Sequence, residues 1–253
     1  MSHSRRSLLA GALAAAPCLA LGDLAQAFGG AALVDVAELD LGPGTLSRPN
    51  AWRRLIYEVI QTTSIECSPT PVRFGPESAE LFEHPFAVVP VDAAFDELSD
   101  KAVEQLSRYL AYGGFLVIDD TTGTDRGPLD DAVRRLAGRL FPTRPLSPLP
   151  ADHSLYRSFF LLDRPLGRLA RHRWLEGVTV GNLTPFVYMR NDLSGALDRT
   201  DDGRSRQACV PGWEGQRREA VKLGVNLVMY SLTANYKRDQ AHVRALMLEG
   251  RLE

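Results

Sequence analysis

Short apolar runs alternate with amphipathic helical stretches through the first half of the chain, and this alternation limits the fold more than any other feature. Ala31–Leu39 reads as a first strand. Trp52, Leu55, Ile56, Val59 and Ile60 then recur at i, i+3, i+4, i+7 and i+8, which is one apolar face of a helix. Thr62–Ser64 ends that helix, Val72–Phe74 reads as a short strand, and Phe86–Val91 as a longer one entered from His84-Pro85. Ser99 is placed to cap a helix whose Val103, Leu106 and Leu110 face inward, and Gly113-Gly114 stops it. Phe115–Ile118 follows as the central strand. Strand-helix-strand-helix-strand is the order of a parallel sheet with right-handed crossovers.

The second half continues the pattern less regularly. Leu129–Leu140 presents Val133, Leu136 and Leu140 on one face, and Phe141–Pro150, with four prolines in ten residues, reads as an extended crossing loop. Leu155–Leu162, Gly177–Asn182 and Phe186–Met189 read as strands. Asp198–Glu214 is polar and reads as a surface loop. Glu219–Tyr236 is apolar nearly all round, as a buried helix is; a last amphipathic helix is expected from Arg238 to about Leu248. Neither half carries enough apolar surface to cover its own strands. The expectation is an α/β fold in a single domain over 28–253, with a central, mainly parallel sheet flanked by helices.

Residues 1–27 have a different character. Ser4-Arg5-Arg6-Ser7-Leu8-Leu9 opens an apolar stretch to Leu21, followed by Ala25-Gln26-Ala27. A basic start, a short apolar core and a small-x-small site make a cleavable leader, and the paired arginines before two leucines fit the twin-arginine export signal of bacteria. Pro17, Gly22 and Asp23 interrupt the ~20 apolar residues that a spanning anchor requires. The expected product is periplasmic or secreted, with no integral membrane segment after cleavage. The whole chain has 29 Lys+Arg against 31 Asp+Glu, a formal charge of −2. Loss of Arg5, Arg6 and Asp23 leaves about −3, without the concentrated basic patch that nucleic-acid binding needs. Cys67 and Cys209 remain after the leader; neither belongs to a Cys-x-x-Cys pair, and a free or inert pair is expected.

Two strands end abruptly in charge: Phe115–Ile118 runs into Asp119-Asp120, and Phe186–Met189 into Arg190-Asn191-Asp192. In open α/β sheets, ligands are held at the carboxyl ends of the strands. Asp119 and Asp120 should point to opposite faces; one is then a metal or sugar-hydroxyl ligand, or both form the turn through Thr121–Gly123. Arg190 and Asp192, at i and i+2, should share a face. Asn226 sits mid-helix among apolar neighbours, where its amide must find partners, and Arg190 or Asn191 is the partner expected. Of His84, His153, His172 and His242, His153 has the most polar neighbours. With Asp119 or Asp192 it would complete a two-carboxylate, one-histidine metal site. Arg157, in the aromatic-polar alternation Tyr156–Phe159, joins the candidate ligand-binding residues. No cofactor is named by these residues.

Five stretches in register resemble one family: Phe82–Phe86, Leu110–Asp120, Asp152–Phe159, Arg190–Ser194 and Gly224–Tyr230. Over about Ala31–His242 the chain is similar to the domain of unknown function 4159 family. The resemblance implies a flavodoxin-type or class I glutamine amidotransferase-like fold with no assigned activity. Longer members carry N-terminal membrane helices, from which this chain departs by its cleavable leader.

An amidotransferase of that fold needs a nucleophile on a sharp strand-to-helix turn. Here the strand Phe86–Val91 runs into Asp92-Ala93-Ala94-Phe95, without Gly-x-Cys-x-Gly or Gly-x-Ser-x-Gly. The residues therefore point first to an exported domain that binds a ligand or an envelope protein partner. The alternatives are a metal-assisted periplasmic hydrolase acting on a carbohydrate or envelope component through the same residues, and a scaffold in an envelope complex.

Overall fold

Seven strands form one sheet in the order β2-β1-β3-β4-β7-β6-β5. They are β1 (Val36–Leu39), β2 (Val72–Phe74), β3 (Phe86–Val91), β4 (Phe115–Asp120), β5 (Ser147–Pro148), β6 (Glu176–Val180) and β7 (Leu183–Met189). The computed structural model describes residues 33–248, with side chains as far as Thr233. The leader expected over 1–27 lies outside the described residues. The strands from β2 across to β7 pair in parallel, and the edge formed by β6 and β5 is antiparallel. The expected mainly parallel α/β sheet is therefore present, in a single domain.

Strand alternation divides the core in two. Val36, Phe86, Val88, Phe115, Val117, Val187 and Met189 pack on one side with Trp52, Leu55, Ile56 and Val59 of helix α1 (Pro49–Thr62). Helices α4 (Leu193–Leu197) and α5 (Trp213–Leu248) cover the same side. Ala37, Leu39, Ala87, Val89, Leu116, Ile118 and Tyr188 pack on the other side, under α2 (Asp100–Ala111) and α3 (Pro128–Leu140). Burying each large apolar side chain contributes about 1.5–3 kcal/mol, so the period-two pattern of the strands fixes which residues can belong to each layer. Ser99 caps α2 as expected, accepting the Ala102 N–H at 3.0 Å. Gly113 then turns the chain at φ 105°, and a side chain at Gly114 would collide with the Tyr109 ring.

Three expectations need correction, and one element lies where none was expected. Leu155–Leu162 is not a strand: Ser154–Arg157 is a short 3-10 helix and the rest is irregular. The Pro-rich stretch is not loop throughout, because Ser147-Pro148 pairs with β6. Leu193–Leu197, assigned to no element by periodicity, is a helix of five residues. Glu219–Tyr236 and Arg238–Leu248 are parts of one helix, α5, since nothing between them breaks the backbone ladder.

The expected crevice at the sheet's carboxyl edge is partly closed. Strand order reverses between β1 and β3, which is where doubly wound sheets hold their ligands. Here the loop after β1 lies across that point: the Leu46 N–H donates to the Pro90 carbonyl at 2.9 Å and the Asp92 N–H to the Gly44 carbonyl at 3.1 Å. Gly44 has φ 87°, and a Cβ there would sit 2.7 Å from the Ala93 carbonyl oxygen.

Candidate functional site

Asp119 and Asp120 end β4 level with Met189 of β7, and alternation sends them to opposite faces as expected. Asp119 faces α4. Its Oδ1 accepts the Leu193 N–H and its Oδ2 the Ser194 N–H, each at 2.7 Å. Asp192 is the N-cap of the same helix, at φ 55°, with its Oδ1 accepting the Gly195 N–H at 2.7 Å and its Oδ2 taking the Arg168 guanidinium. A Cβ on Gly195 would run into the Asp192 carboxylate. Both carboxyl groups are fully buried. Burial and then the charge of Asp192 push Asp119 up to about 7, against the pull of the Leu193 and Ser194 N–H groups. Burial also raises Asp192, opposed by Arg168.

Asp120 forms the turn. Its Oδ1 accepts from the Thr122 N–H at 2.7 Å, the Thr122 hydroxyl at 2.6 Å and the Gly123 N–H at 3.2 Å, and its Oδ2 accepts from the Tyr188 hydroxyl at 3.2 Å. Arg190 lies over the Tyr188 ring, 5.4 Å from its centroid. It donates to Glu176 at 3.0 Å and to the carbonyls of Thr124 and Asp125. Arg190 and Asp192 therefore do not converge, because the left-handed backbone at Asp192 breaks the strand's alternation. Asn191 is fully engaged: its Nδ2 donates to the carbonyls of Pro165 and His172, and its Oδ1 accepts the N–H groups of Arg171 and His172.

Asn226, expected to meet Arg190 or Asn191, meets neither. It accepts the N–H groups of Phe159 and Phe160 and donates to the carbonyls of Leu155 and Phe160, pinning 155–160 to α5. That grip explains why an apolar stretch here is not a strand, since its backbone groups are already taken. His153 precedes the same segment. Its Nδ1 accepts the Leu155 N–H at 3.2 Å, so the neutral ring donates from Nε2 to the Thr184 hydroxyl at 3.0 Å. Burial lowers its pKa and favours that neutral form. Thr184 is the second residue of β7 while Met189 ends it level with Asp119, which puts the His153 contact about 16 Å from the aspartates along the strand. The expected two-carboxylate, one-histidine centre is not assembled. Among the described residues no three His, Cys, Asp or Glu side chains come together to hold a metal ion. Arg157 is exposed, and Cys67 and Cys209 are buried and unpaired.

An open cleft lies at the same edge, beside the closed crevice. Leu46, Ser47, Arg48, Pro49, Asn50, Asp198 and Arg206 line a cavity of about 350 Å³. Buried Glu38 of β1 holds the Arg48 backbone in place, accepting the Arg48 N–H at 2.9 Å and the Arg73 guanidinium at 2.5 Å. Glu38, Arg48, Arg168 and Asp198 were not among the residues expected at the site. Of these, Glu38 had a legible signal, as one of two acids, with Asp35, in the otherwise apolar run Ala31–Leu39.

A family model described as "Domain of unknown function (DUF4159)" matches residues 35–232. No curated protein matches the chain.

Proposed function

The chain belongs to the DUF4159 family, and from that premise we propose that it is an exported binding domain that holds a ligand or an envelope protein without chemically transforming it. The observation that carries this reading is the double cap from Asp119: both carboxylate oxygens are taken by backbone N–H groups of α4. A general base must come within reach of its substrate's proton, and here the carboxyl group is fully buried beneath the helix it caps. The turn after β3 offers Asp92-Ala93-Ala94 in place of a nucleophile and is covered by the loop through Gly44. On this reading the sheet is of the class I glutamine amidotransferase type and keeps that frame without its chemistry. The Arg5-Arg6 leader delivers it to the envelope.

The test uses Phe28–Glu253, assayed for release of ammonia from glutamine and of sugar or peptide from envelope material, with and without added zinc. No turnover above background is expected. Turnover that disappears in a folded Asp119→Asn variant would overturn the reading.

A further inference from the structure

The geometry points to the cleft between the start of α1 and the end of α4 as a site for a small phosphate-bearing solute. Arg48 and Arg206 flank it, and each guanidinium has several N–H donors in a planar fork suited to oxyanions. Most of those donors are unused. Among the described residues the Arg48 guanidinium has one ion-pair partner, Asp198 at 3.5 Å, and its Nε is buried without a hydrogen-bond partner. Arg206 donates its Nε to the Arg199 carbonyl at 3.1 Å and stands 3.6 Å from the same Asp198 oxygen. One carboxylate oxygen is thus shared, at long range, by two cations. The lining residues carry one more positive than negative charge.

The start of α1 adds to this field. Pro49 opens the helix, no side chain caps it, and its first turn has no acidic residue, so the Glu38 carboxylate on the Arg48 N–H, shared with Arg73, offsets the positive end of its dipole only in part. By contrast, α2 and α3 carry acids in their first turns. A volume of about 350 Å³ falls in the range of small-molecule pockets and exceeds what a bare phosphate fills. The phosphate is therefore carried on a small organic body, with Asp198 available to accept a hydroxyl from it. This assignment rests on the binding-domain reading and names the ligand class for it.

The test is calorimetric titration of Phe28–Glu253 with glycerol 3-phosphate and with inorganic phosphate, at constant ionic strength. Saturable binding is expected, tighter for the ester; equal affinities would identify the free anion as the ligand. Arg206→Gln should weaken binding about tenfold or more, since a charge-assisted contact is lost. Its side chain is 47% exposed, so the variant should fold. Arg204→Gln removes the same charge two residues away, outside the cleft, and should leave affinity unchanged. Asp198→Asn should tighten binding of inorganic phosphate, for which the carboxylate is a competitor and not a contact. No saturable binding, or equal losses in the Arg206 and Arg204 variants, would overturn the site while leaving the binding-domain reading intact. Hydrolysis of the ester by the wild-type chain would overturn that reading instead.

Discussion

Asp119 and Asp192 meet at the first turn of one five-residue helix, Asp119 from the sheet beneath it and Asp192 from its own N-cap. Between them they accept three of the N–H groups that a helix start leaves without partners. A helix this short has almost no stability of its own, so α4 exists because two buried carboxyl groups hold it.

That arrangement sets a pH dependence. In the unfolded chain an aspartate titrates near 3.9, whereas burial beside Asp192 raises Asp119 to about 7. Between those values the folded state binds more protons than the unfolded state, so this group's contribution to stability falls as pH rises through the window. Urea denaturation of Phe28–Glu253 from pH 4.5 to 7.5 should show that slope, and Asp119→Asn should flatten it. Asp119→Ala leaves two buried N–H groups unmatched and should cost roughly 2–5 kcal/mol at any pH. An unchanged slope in the Asn variant would assign the titration elsewhere.

Asn226→Leu keeps the volume and removes all four bonds to the 155–160 backbone. Those buried backbone groups then lack partners, at about 1–3 kcal/mol each before relaxation, so a loss of several kcal/mol is expected. Hydrogen exchange should accelerate first at Phe159 and Phe160, whose N–H groups the Asn226 side chain accepts. Uniform acceleration across the sheet would show that the segment is not held separately.

Replacing Arg5 and Arg6 by Lys should leave full-length precursor in the cytoplasm, detected by fractionation and immunoblotting. Export at the wild-type level would rule out the twin-arginine route for the leader.

The sheet was legible in the sequence because continuous apolar strand runs, as in Phe86–Val91, alternate with 3.6-period helices, as in Trp52–Val59. Asp120 as a turn residue was legible too, since its carboxylate acts on residues two and three positions on. What escaped notice acts across distance. Arg168 reaches Asp192 from 24 residues away, and Asn226 reaches Phe160 from 66; no local pattern records either pairing. Leu193–Leu197 is too short to show a period. His153 was grouped with the aspartates on polarity alone, and strand geometry separates them along the length of β7.

The seam through Gly44, Thr45 and Leu46 changes what the sheet offers to its surroundings. By stitching the loop after β1 onto the end of β3, the chain plugs the doorway its own topology creates and leaves a side entrance along the flank of α1. Gly44→Ala would drive a wedge against the Ala93 and Ala94 carbonyls. Such a variant would force that doorway open, and the same strand order would then present a different face to solvent.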